Sequence, residues 1–172
     1  EINVTITPTF ADRTSISSAT VTLRDAANPS TISTTGSMTW TYDWLPHLPE
    51  VYQVVVSSTT LTAGTDYAVS TFTSITNVEA PARTITITGK GKYNGEKEVT
   101  YNITPRSISD ASVQFSPTSF VYNHQNQAPD ANTVQVYLQG QHLTLNTDYN
   151  NVSIPTAAIN AANNYSISVT DL

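Results

Sequence analysis

The chain has 172 residues, a formal net charge of −6, no cysteine, and only 12% charged residues. Lysine and arginine total seven and all precede Ser107, so no basic stripe exists to meet phosphates, and nucleic acid is excluded as a partner. Without cysteine there is neither a disulfide staple nor a thiolate metal site, and no apolar run reaches the roughly 18 residues of a membrane-spanning helix.

In chain order, the segments alternate apolar and polar residues with a period of two. They fall at residues 2–7, 19–23, 84–88, 98–103, 133–138 and 165–169. That period, carried by threonine, valine, isoleucine and tyrosine, predicts half-buried β-strands and no helix. Turn chemistry separates them at Asn28-Pro29, Gly36, Gly64, Gly89, Gly91, Asn94-Gly95, Ser116-Pro117 and Gly140. Short strands divided this regularly predict an all-β sandwich. The first residues lack the basic start and apolar stretch of a signal peptide, so the chain reads as a mature or excised fragment.

The chain also repeats itself. Leu61-Thr62-Ala63-Gly64-Thr65-Asp66-Tyr67 returns as Leu143-Thr144-Leu145-Asn146-Thr147-Asp148-Tyr149, a spacing of 148 − 66 = 82 residues. The same spacing aligns residues 84–88 with 166–170. Upstream, Trp40-Thr41-Tyr42-Asp43 aligns with Phe120-Val121-Tyr122-Asn123 at 122 − 42 = 80, and residues 16–21 align with 108–113 at 113 − 21 = 92. Two homologous modules are expected, residues 1–104 (with 1–15 as a leading strand and linker) and residues 105–172. The near absence of a linker at Pro105 predicts a semi-rigid joint.

The first module ends with a strand at 98–103 that has no counterpart after Thr170, while residues 2–8 resemble residues 99–105. Two readings follow. The chain is cut from a longer array, which is preferred, or the open edge of the second module accepts a strand from another molecule, giving homo-association through sheet edges.

Tyr42-Asp43 and Tyr122-Asn123, the Leu-Thr-x-x-Thr-Asp-Tyr phrase, and the run 84–95 together resemble the tandem immunoglobulin-like repeats of bacterial surface and secreted proteins named for a Tyr-Asp-Gly motif. The resemblance covers residues 16–103 and 108–170. It implies two tandem immunoglobulin-like β-sandwich domains, an exported extracellular or cell-surface location, and no catalytic residues. Both modules depart from the motif where glycine is expected, at Trp44 and His124, so another turn geometry is expected there.

The inventory for chemistry is poor. His47, His124 and His142 lack triad or metal-ligand spacing and read as loop residues, and the acidic residues are too dispersed for a calcium cage, so no catalytic residue, metal or cofactor is assigned. Asp66 and Asp148 read as turn caps, Tyr165 as a tyrosine corner, and Lys90, Lys92 and Lys97 as charge guarding a sheet edge. Trp40 is expected in the core. The proline-bounded aromatic loop 40–52 carries the ligand-binding candidates Trp44, Tyr42, His47 and Tyr52. Trp44 is either a plug over the sheet end, the preferred reading, or an exposed indole that stacks on a sugar or anchors a protein. The chain is therefore expected to be a structural or adhesive spacer, not an enzyme, meeting a host or matrix glycan or protein. The alternatives are a carbohydrate-binding module and a subunit self-assembling by strand donation.

Overall fold

The computed structural model describes residues 12–125, 127–154 and 166–170. The segment 2–7 and Tyr165, both assigned roles from the sequence, lie outside the described residues. The chain divides into two compact units between Arg106 and Ser107, two residues beyond the boundary expected at 104/105.

Among the described residues unit 1 holds ten strands: β1 (Thr14–Ser15), β2 (Thr20–Asp25), β3 (Ile32–Ser33), β4 (Ser37–Thr41), β5 (Pro49–Val56), β6 (Thr59–Thr60), β7 (Tyr67–Val69), β8 (Arg83–Gly89), β9 (Tyr93–Asn94) and β10 (Glu96–Thr104). They form two four-stranded sheets, β3-β2-β5-β6 and β4-β10-β8-β7, with a short parallel β1-β9 pair. The alternation seen in sequence is the alternation of burial: Val21 and Leu23 from β2, Val54 and Val56 from β5, Met38 and Trp40 from β4, Ile85 and Ile87 from β8, and Val99, Tyr101 and Ile103 from β10 all enter one apolar core. Both sheets thus bury one face against the other, the arrangement of a β-sandwich. The last long strand, β10, lies antiparallel to β8 and parallel to β4, with Tyr101 opposite Met38 and Ile103 opposite Trp40. That central place is why β10 carries three of the most buried side chains, Val99, Tyr101 and Ile103.

Gly89 is fixed by close approach. A Cβ there would meet backbone atoms of Asn94 at 2.7–2.9 Å, so the β8–β9 turn closes only around a residue without a side chain.

Unit 2 holds β11 (Ser112–Gln114), β12 (Gln135–Leu138), β13 (Gln141–Leu143), β14 (Asn151–Ser153) and β15 (Ser168–Thr170), arranged as β11-β12-β13 and β14-β15. The strand expected from residue 133 begins later, because Ala131–Thr133 is a single 3-10 turn capped by the Asp130 carboxylate, which accepts the Asn132 N–H. Among the described residues this turn is the only helical element.

Registers coincide between the units. In the β5–β6 hairpin Val56 faces Thr59, and in β12–β13 Leu138 faces Gln141, each offset by 82. The turn residues follow: Ser57 and Ser58 have φ of 45° and 71°, Gln139 and Gly140 have 52° and 83°, the doubly left-handed turn that suits hairpin twist. Val21 faces Val54 and Val113 faces Val136. Val69 faces Ile87 and Val152 faces Val169, a correspondence that leaves one extra residue between Tyr149 and Val152. Burial differs sharply: among the described residues, sixteen hydrophobic residues are buried in unit 1 and five in unit 2.

Candidate functional site

The turn after β4 is built from the backbone outward. The Tyr42 N–H donates to the Thr104 carbonyl at 2.9 Å, and the Tyr42 carbonyl accepts from Arg106 Nε at 2.7 Å, so the turn is gripped by the end of β10. Asp43 Oδ1 accepts the Leu45 N–H at 3.0 Å, closing an Asx turn that holds Trp44 at φ 66°. The Trp44 ring then lies 5.2 Å from the Tyr42 ring, tilted by 56°. Unit 2 makes the same turn. Asn123 Oδ1 accepts the Gln125 N–H at 3.0 Å, His124 has φ 62°, and the Tyr122 and His124 rings are 4.5 Å apart. The expectation of another geometry is corrected here. Both residues keep the left-handed conformation that glycine would take, because the side-chain oxygen two residues before Leu45 or Gln125 fixes the loop.

Of the four ligand candidates, Tyr42 and Trp44 share one turn and His47 reaches that turn through Asp43. Tyr42 and Trp44 form one half-buried pair at the turn. Tyr52, 52% exposed, belongs to β5 and carries the Arg24 guanidinium 4.4 Å above its ring, with Arg24 also bonded to Glu50. His47 lies in the loop between β4 and β5, yet it is buried at 8% exposure. Its backbone pairs with Ile75 in both directions, N to O at 2.8 Å and O from N at 2.9 Å. Its ring stacks on Trp40 at 4.9 Å, Nε2 donates to Asp43 Oδ1 at 3.0 Å, and Nδ1 stands 3.6 Å from Asp25 Oδ2 with no hydrogen-bond partner.

A polar network that the sequence did not reveal therefore lies under the turn. Asp25 is 4% exposed and accepts the Trp40 Nε1–H at 2.8 Å and the Ala27 N–H at 2.8 Å. Desolvation alone would raise its carboxyl, but the indole, the Ala27 and Asn28 backbone donors and His47 together hold it below the ordinary carboxylate value. At Asp43 desolvation is likewise outweighed, by the Leu45 N–H, His47 and Arg106. The sequence clue was an aspartate opening the Ala26-Ala27-Asn28-Pro29 turn.

This arrangement holds no nucleophile beside a base. Asp25 and Asp43 are each engaged in capping and anchoring, and no group of three metal-ligating residues occurs among the described residues. The aspartates of the repeated phrase are turn caps: Asp66 Oδ2 accepts the Thr62 N–H at 2.9 Å and Asp148 Oδ2 accepts the Thr144 N–H at 2.7 Å, with Tyr67 and Tyr149 both 4% exposed beneath. Lys90 donates to the Gly64 carbonyl at 3.1 Å, tying the same turn to the end of β8. No helix among the described residues is long and apolar enough to cross a membrane. No protein-family model, curated protein or solved structure matches this chain.

Proposed function

We propose that the chain is a pair of immunoglobulin-like modules from a tandem array, serving as a structural or adhesive spacer of an exported bacterial cell-surface protein. The observation that carries the reading is the shared register of the β5–β6 and β12–β13 hairpins, each closed by two left-handed residues, together with the paired Asx turns at Trp44 and His124. Interactions of the polar side chains described above fix turns and anchor the indole, which suits reach and mechanical persistence rather than turnover. Force spectroscopy of the chain between marker domains tests it. Two separate unfolding events are expected, and a single cooperative event removes the reading.

The half-buried Tyr42–Trp44 pair favours a second reading, recognition of a glycan through ring stacking. A glycan array with the intact chain and Trp44→Ala decides it: binding lost in the variant supports recognition, and no binding by the intact chain removes it.

A further inference from the structure

We propose that Tyr122 is a one-electron oxidation site with His124 as its base, and that two oxidised copies of this chain join through a dityrosine bond between their Tyr122 rings. The oxidant is hydrogen peroxide acting through a haem peroxidase. A spacer and a glycan binder would carry such a site equally.

The turn after Val121 presents the two rings together. Asn123 Oδ1 accepts the Gln125 N–H, while Gln127 Nε2 donates to the same oxygen at 2.9 Å and to the Val121 carbonyl at 2.8 Å, so one glutamine staples the turn. With His124 at φ 62°, its Nδ1 stands 2.9 Å from the Tyr122 hydroxyl oxygen. When the ring proton sits on Nε2, Nδ1 is the acceptor and the phenol donates to it. A phenol that loses an electron must also shed its proton, and an acceptor already hydrogen-bonded to it takes that proton without rearrangement.

Among the described residues the exposed tyrosines are Tyr52, at 52%, and Tyr122, at 48%. Their access is alike and their surroundings differ. The Arg24 guanidinium stands 4.4 Å above the Tyr52 ring, and a cation against the π face opposes loss of an electron. Every lysine and arginine precedes Ser107, so unit 2 has no such cation of its own. The counterpart of Tyr122 in unit 1 is Tyr42, half-buried against Trp44, whose indole takes no proton. The coupling partner is a second copy because the surroundings of Tyr122 admit one. Residues 111–129 carry no charged side chain, and Phe120 and Val121 are 41% and 88% exposed, so two copies meet here without repulsion and cover apolar surface as they do.

The chemistry balances. Each Tyr122 gives one electron to the oxidant and its hydroxyl proton to His124 Nδ1, and the exposed imidazole releases a proton to water from Nε2. The two phenoxyl radicals pair their electrons in a bond between ring carbons beside the oxygens. The hydrogens on those carbons move to the oxygens and restore two phenols. The two electrons and two protons convert one hydrogen peroxide into two waters.

The full chain is treated with hydrogen peroxide and a haem peroxidase, and the covalent dimer is read by dityrosine fluorescence and by mass spectrometry of its joined peptides. Joined peptides containing Tyr122 are expected to exceed those containing Tyr52 by roughly tenfold, since the base and the cation act in opposite directions. Tyr122→Phe is expected to lose that dimer while oxidation at Tyr52 continues, which shows that the variant is folded and the oxidant active. His124→Gly keeps the left-handed turn and removes the base. It is expected to slow Tyr122 oxidation roughly tenfold, less than an enclosed base supplies because water also takes protons. Free imidazole is expected to restore the rate, measured with a photogenerated tris(bipyridyl)ruthenium(III) oxidant that has no open position to bind imidazole. Absence of a covalent dimer, or coupling chiefly through Tyr52, overturns the site. A His124→Gly rate that is unchanged, or slowed without rescue by imidazole, overturns the role of His124 as base.

Discussion

The indole N–H of Trp40 donates to Oδ2 of Asp25 at 2.8 Å inside the core, joining β4 of one sheet to the end of β2 in the other. Trp40 is thus both an apolar wedge and a donor that must be matched. A buried bond to a charged acceptor is worth about 1.5–3 kcal/mol, and removing the acceptor alone leaves the donor stranded. Asp25→Ala is expected to lose about 3 kcal/mol in urea denaturation, and Trp40→Phe with Asp25→Ala together less than the sum of the two single changes.

The same aspartate makes stability depend on acid. Its folded value and that of Asp43 lie below the ordinary 3.8, so the unfolded chain takes up these protons first as pH falls. The stabilisation is complete above that ordinary value and is lost as pH descends through the lower folded ones. Denaturant midpoints measured from pH 6 downward are expected to fall below about pH 4. In Asp25→Asn the fall is expected to be shallower.

Trp44 and His124 hold left-handed backbone without being glycine. Replacing each by alanine removes the ring but keeps the conformational cost, whereas glycine removes both. Trp44→Gly is expected to be about 1 kcal/mol more stable than Trp44→Ala by thermal melting, and His124→Gly to exceed His124→Ala by a similar amount. Equal stability of the glycine and alanine variants would mean that the turn relaxes out of that conformation.

Asp66 and Asp148 cap equivalent turns, each through one carboxylate oxygen on a backbone N–H. Asp66→Ala and Asp148→Ala are each expected to cost about 1 kcal/mol, and the asparagine variants less, because the amide oxygen still accepts. Separate denaturation of the two units would report each loss in its own transition.

Gly89→Ala is expected to cost about 2–3 kcal/mol, the overpacking penalty for a methyl group placed against fixed backbone. The close approach is to Asn94 N, O and C, none of which can swing away as a side-chain tip would. Hydrogen exchange at residues 89–96 would localise the damage.

Much of this architecture was legible because burial in a strand follows a two-residue period. Residues 84–88 and 98–103 announce β8 and β10, and the glycines and aspartates place their turns. What stayed hidden depends on contacts between distant segments. His47 looks like a loop residue because its burial is created by Trp40, Asp43 and Asp25, none of them related to it by a strand pattern. Phe120 aligns with Trp40, yet it is 41% exposed where Trp40 is 8% exposed, because coverage depends on neighbours that a strand pattern does not name. At Trp44 the identity of the residue misled, since the local Asx bond outweighs the preference of a side chain for negative φ.

The parallel alignment of β4 with β10 has a mechanical corollary. Tension entering through Pro105 would draw β10 lengthwise between two neighbours, so that its rungs resist in concert rather than opening one after another like a zip. A sheet loaded this way gives little at first and then yields abruptly.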